Sequence, residues 1–189
     1  MSRADFDPQP TLSGRAIRLR PLAAGDWADL FACASDPLVW EQHPIHERYR
    51  EEVFRPLFDG KLAEGWTLAV ERLEDARVVG MSSYSNLRDD AFGSGAVEIG
   101  STVLGRACWG GAINAEMKRL MLAHALRFVG TVEFLIAEDN MRSRKAMAKI
   151  GGRLTDRIVE TEVSGRVIPH MVYEITRADF ERGPLTQGG

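Results

Sequence analysis

Apolar and polar positions alternate over "RAIRLRPL" (15–22): Ile17 and Leu19 fall on one face, Arg18 and Arg20 on the other, which predicts a half-buried strand. Asp26 then stands where a helix cap belongs, ahead of Trp27, Leu30 and Phe31, and this helix should close near "SDP" at 35–37. A second helical region follows within 41–65, with Pro56 predicted to break it. Period-two patterns return at 66–71 and 78–85, joined by the charged turn "RLEDAR", and again at 96–104 after a glycine-rich break at 93–95. From 112 to 128 the period lengthens. Ile113, Met117, Leu120, Met121, Ala125 and Phe128 make one broad apolar helix face. A short strand at 132–137 leads to a helix capped by Asp139 or Asn140, with Gly151 at the position of a helix-terminating glycine. Strands over 153–163 and 166–175 complete the chain as a hairpin turning at "SG". The predicted order is β-α-α-β-β-β-α-β-α-β-β, a mixed α/β or α+β fold. Residues 1–13 are expected to be a loose arm, 14–183 a single domain and 184–189 a short tail.

Composition changes this picture little. A chain of 189 residues is long enough to bury a full core without crosslinks. Twenty-four Lys and Arg stand against 27 Asp and Glu, so no basic excess points to a nucleic-acid partner. Cys33 and Cys108 lie far apart with no metal-ligand spacing, and the four histidines are too scattered for a metal site. The first residues show no apolar leader, and no run of 18 apolar residues occurs to span a membrane. A soluble, cytoplasmic chain in a reducing compartment is the expectation.

The chemistry begins at "CWGGAINAEMK" (108–118). Two glycines stand at the mouth of the long helix, where unpaired amides and the positive end of the helix dipole make an anion site. Glycine lets a ligand approach the backbone because no Cβ intervenes. No Gly-Lys-Ser/Thr ending follows, which excludes a P-loop, and no third glycine completes a dinucleotide fingerprint.

About 30 residues later comes a second element, "NMRSRKAMAKIGG". Together with "EIGSTVLGRACWGGAINAEMK" it resembles the paired signature motifs of the GNAT (GCN5-related) N-acetyltransferases, within which it looks most like the Rim-type, ribosomal-protein-acetylating branch. The resemblance covers residues 14–176 and matches the element order. It implies a twisted, mostly antiparallel mixed sheet flanked by helices, with a V-shaped splay between central strands that receives acetyl-CoA. The family's pyrophosphate-wrapping motif falls on Trp109, Gly110, Gly111, Ala112, Ile113 and Asn114. This chain departs from it at Trp109, Ala112 and Asn114. The second motif of the Rim-type branch is matched by Asn140, Ser143, Ala146, Lys149 and Gly151. By resemblance Asn140, Ser143 and Lys149 join the coenzyme A site.

The same resemblance assigns the reaction: direct transfer of an acetyl group from acetyl-CoA to a primary amine, either a protein N-terminus or a small molecule. An α-amine titrates near ~8 and a lysine near ~10.4, so a base must help at neutral pH. Glu98, on the strand leading to the glycines, is the expected base. Backbone amides at Val103 or Leu104 are expected to polarise the thioester carbonyl. Many relatives protonate the leaving thiolate with a tyrosine where this chain has Met147, so Ser143 or water takes that part. Trp40, Tyr84 and Asn86 are candidates for the acceptor pocket. His124, on the apolar side of its helix, reads as a packed core histidine, and Cys108 as a small filler. Two rival readings remain at this point: a catalytically silent acyl-CoA-binding module, and an acetyltransferase of small amines or antibiotics. No metal, nucleic acid or membrane is expected, and homodimerisation stays open.

Overall fold

The structure, a computed structural model, describes residues 3–89, 93–163 and 165–187. Eight strands form one sheet in the order β1-β2-β3-β4-β5-β6-β8-β7. They are β1 (Leu12–Ser13), β2 (Ile17–Pro21), β3 (Thr67–Arg72), β4 (Val78–Arg88), β5 (Ala96–Leu104), β6 (Thr131–Ala137), β7 (Arg153–Val163) and β8 (Arg166–Thr176). Every pair is antiparallel except β5 with β6. A parallel pair needs a crossover, and α3 (Ala112–Ala125) supplies it.

Alternation along the strands feeds two apolar clusters. Leu68 and Val70 of β3 and Val97 and Ile99 of β5 pack with Met117, Leu120 and Met121 of α3 and with Met147 of α4 (Met141–Lys149). Ala69 and Met81 pack with Leu30 of α1 (Trp27–Ala34) and with Phe54 and Phe58 of α2 (Glu51–Glu64). Helices therefore cover the sheet on two sides, as period-two strands with both faces buried require. A short α5 (Arg177–Arg182) follows β8, with the Thr176 side chain accepting from the Asp179 amide.

Several sequence expectations are corrected here. The arm expected over 1–13 is fastened. Phe6 is buried against Tyr84, His124 and Phe128, His124 Nε2 lies 2.8 Å from the Asp7 carbonyl, and Leu12 pairs with Leu19. The tail docks as far as it is described: Leu185 packs on the core and the Thr186 hydroxyl donates to the Phe180 carbonyl at 3.0 Å. Pro56 does not break its helix, which runs unbroken from Glu51 to Glu64. A helix-interior proline costs about 3 kcal/mol, and full burial of Phe54 and Phe58, each worth about 1.5–3 kcal/mol, offsets it. Asp26 does not cap α1 through its side chain, because its carboxylate is taken by Arg20 and the Ala23 amide. The long helix ends at Ala125, and Phe128 keeps its place against the core through a turn in which its amide donates to the Ala125 carbonyl. Of the hairpin turn at "SG", Gly165 has φ +76° and Ser164 lies outside the described residues.

Candidate active site

β5 and β6 pair at only three positions, Ala96 with Thr131, Val97 with Val132 and Glu98 with Glu133. Beyond Glu98 both strands continue without pairing to one another: β6 runs on against β8, and β5 against β4 through an irregular stretch in which Ser101 has φ +47°. A cavity of about 340 Å³ opens in the gap. Residues 99–104 of β5 and 134–137 of β6 form its walls, Asn114 and Lys118 reach it from α3, and Asn140, Ser143 and Met147 reach it from α4. Val39, Trp40, His43 and Arg48, between α1 and α2, close another side.

At one end lies the mouth of α3. Gly110 has φ +68°, a backbone angle that glycine adopts at no steric cost. Gly110 and Gly111 are exposed, and a Cβ on either would meet nothing within 4 Å. No side chain caps the helix start. Its first-turn amides therefore face open space, the arrangement that binds phosphate groups. Trp109 braces this end: its indole donates to the Leu104 carbonyl at 2.9 Å, and the Arg142 guanidinium stands 4.2 Å from its ring centroid. Arg142 in turn donates to the carbonyls of Leu38 and Val39.

The cavity wall carries Arg48, Lys118 and Arg142 and two histidines, His43 and His170, but no Asp or Glu among the described residues. Lys118 is buried, and its ammonium donates to Thr102 Oγ1 at 2.8 Å and to Ser82 Oγ at 3.3 Å. It also lies 5.7 Å from the Phe134 ring, so it touches both diverging strands. Burial pulls its pKa down to about 7. Glu98 stands just outside the wall. Its Oε1 lies 2.9 Å from where a Cβ on Gly100 would be, and Gly100 is part of the wall. Asn86 Nδ2 donates to the other oxygen at 2.7 Å. Burial raises the Glu98 pKa, against the opposing Asn86 hydrogen bond and with the Glu133 charge adding to the rise. A carboxylate so raised is a stronger base than one in water.

A gap between strands beside an uncapped glycine mouth is a site for a slender, phosphate-bearing ligand, and the sequence comparison decides which kind. The model of the acetyltransferase (GNAT) domain matches residues 16–153. The chain belongs to the GNAT acetyltransferase family. Among solved structures, a GCN5-related N-acetyltransferase from Brucella melitensis superposes with a TM-score of 0.76 at 21% identity, covering 94% of this chain and 85% of its own. The acetyltransferase (GNAT family) from Bacillus anthracis gives 0.70 at 18% identity, over 88% and 98%. Mycobacterium smegmatis RimJ in complex with CoA-disulfide gives 0.69 at 20%, over 93% and 91%. No curated protein matches the chain significantly. This GNAT protein is thus an acyltransferase, and acetyl-CoA is the family's acyl donor.

The residues predicted for the GNAT site are not all brought together. Val103, Leu104, Trp109, Gly110, Asn114, Asn140, Ser143 and Trp40 line the cavity. Gly111 and Ala112 are exposed at the helix mouth beside it, and Ile113 packs against the core. Lys149 is exposed and forms no part of the wall. Tyr84 is a correction. It is fully buried on the α3 side, its hydroxyl donating to the Met121 carbonyl at 2.8 Å, and it cannot meet an acceptor. Asn86 is likewise not in the wall, and serves Glu98 instead. Asn140 caps α4 as predicted, accepting from the Ser143 amide at 3.1 Å. His43, Arg48, Thr102, Lys118 and Arg142 were not foreseen. Lys118 had a signal: it stands four residues after Asn114, inside the helix's apolar stripe, where a lysine is out of place.

Proposed function

We propose that this protein is an acetyl-CoA-dependent N-acetyltransferase that passes the acetyl group directly to a primary amine. The observation that carries the reading is the unpaired stretch of β5 and β6 ending beside an exposed, uncapped Gly-Gly helix start. In this reading the amides of residues 110–114 take the pyrophosphate, with the Arg142 guanidinium beside Trp109 adding positive charge. Asn114 and Asn140 contact the arm of the donor. A backbone amide at Val103 or Leu104, in the part of β5 that has no β6 partner, polarises the carbonyl. Glu98 takes the amine proton, working through water across the bare Cα of Gly100. Ser143, in the wall opposite β5, protonates the departing thiolate, since Met147 has no proton to give.

The amides carry the phosphate site, so Gly111→Pro should weaken coenzyme A binding at least about tenfold by removing a donor and distorting the turn. Calorimetry on the folded variant measures this, with thiol release in the presence of primary amines as the companion assay. Unchanged affinity would place the phosphates elsewhere.

A further inference from the structure

The segment between α1 and α2 places two hydrogen-bond donors face to face inside the cavity. The Ile45 amide donates to His43 Nδ1 at 2.9 Å. A backbone N–H can only donate, so Nδ1 holds a lone pair and the single proton of a neutral imidazole sits on Nε2. Burial and the neighbouring Arg48 charge keep the ring neutral, with its pKa pushed down to about 3. Yet the atom 3.0 Å from Nε2 is Arg48 Nη1, which is also a donor. Neither has an acceptor in the other, and a largely desolvated guanidinium without an acceptor is costly.

No carboxylate relieves it. Arg48 makes no ion pair among the described residues, and its only other contact of note is the Trp40 ring, 5.5 Å from its Cζ. Burial lowers its pKa, the mark of a cation short of compensation. Trp40 is itself fixed, its indole donating to the Ala34 carbonyl at 2.7 Å, so the guanidinium is held in place against the cavity. Arg48 belongs to a different element from the phosphate cradle, which has Arg142 of its own.

We propose that Arg48 and His43 Nε2–H are the receptor for a carboxylate on the acceptor, so that the amine acetylated here is a small molecule of the free amino-acid class. A carboxylate oxygen between the two donors accepts from both, and the guanidinium fork suits a carboxylate geometrically. A protein N-terminus offers no such group next to its amine, because that carboxyl is spent in a peptide bond. The inference rests on the acetyl-transfer reading above and specifies its acceptor. In the transfer, the amine lone pair forms the C–N bond and the C–S bond breaks with its electron pair on sulfur. The amine proton goes to the base, and the thiolate takes up one in return.

The test uses the 189-residue chain saturated with coenzyme A, or with acetyl-CoA for turnover, and a panel of free amino acids, each beside its carboxamide and its decarboxylated amine. At least one amino acid should bind calorimetrically and be acetylated with kcat/KM ten times or more that of its two carboxylate-free partners. Arg48→Gln should raise KM for that amino acid by about ten- to a hundredfold, the worth of a hydrogen bond to a charged group. Its preference over the carboxamide should then fall toward one, while Arg48→Lys should retain part of it. Coenzyme A affinity should hold in both variants. Equal use of carboxamides, a preference that survives Arg48→Gln, or weakened coenzyme A binding in that variant would each overturn the proposal. So would failure of every amino acid to bind. Transfer to carboxylate-free amines alone sinks this inference and leaves acetyl transfer standing, whereas absence of transfer to any amine with no binding of coenzyme A sinks acetyl transfer itself.

Discussion

Two influences act on the Glu98 carboxyl in opposite senses. Burial raises its pKa, and the Asn86 amide, by donating to the ionised form, restrains the rise. Removing that donor in Asn86→Ala should lift the Glu98 pKa further, moving the acid limb of the kcat/KM profile to higher pH. Glu98→Gln should lower kcat by about 10²–10⁴-fold, the usual worth of a general base. A pH profile unmoved by Asn86→Ala would show that another group titrates. Of the candidate residues, those in continuous stretches could be placed from the sequence: Glu98 beside the cavity, the glycine mouth, and Asn140 with Ser143 owe their placement to local strand and helix geometry. Arg48 and His43 were not, because they meet the cavity only when the α1–α2 connection folds over it. Tyr84 and Asn86 misled for a simpler reason. Both are polar residues two apart on a strand near the gap, and alternation assigns such a pair to one face without saying what covers each of them: Tyr84 is buried and Asn86 is exposed.

At the scale of elements, α3 combines a free N-terminus with a buried lysine one turn past Asn114. An unfolded lysine keeps its proton to about 10.4, whereas folded Lys118 releases it near 7. Between those values the unfolded chain binds more protons, so this residue makes stability climb with pH from about 7 to about 10 and leaves it flat below 7. Lys118→Met removes the titration, and the Ser82 and Thr102 hydroxyls, 2.8 Å apart, still pair with each other. The variant's melting temperature minus that of the parent should therefore be greatest near pH 6 and shrink toward pH 10, as calorimetric scans would record. A difference that does not vary with pH would mean that Lys118 keeps its proton in the fold. The helices themselves were legible wherever their apolar stripe stood out. The exceptions were α2, where two buried phenylalanines override Pro56, and the end of α3, where Phe128 continues the stripe after the helix has stopped.

At the scale of the molecule, the N-terminal segment closes the core on the α3 side. Phe6 packs edge-on to Tyr84 and Phe128, and its neighbour Asp7 offers its carbonyl to His124. Phe6→Ala should cost about 3 kcal/mol through the cavity it leaves, read as a lower denaturant midpoint at unchanged slope. A change within a few tenths would show that the segment is dispensable. Its two prolines and polar composition hid this role, since one buried aromatic leaves no periodicity to read. The parting of β5 from β6 has a different kind of consequence. Two walls of that slot are the diverging strands, and how it opens follows from where they stop pairing, while side chains such as Lys118 and Arg48 line the rest. Such a slot is robust to amino-acid replacement along its length, because most exchanges alter what decorates it and few alter how it opens. A lineage can then keep its donor while rewriting the residues that choose the acceptor.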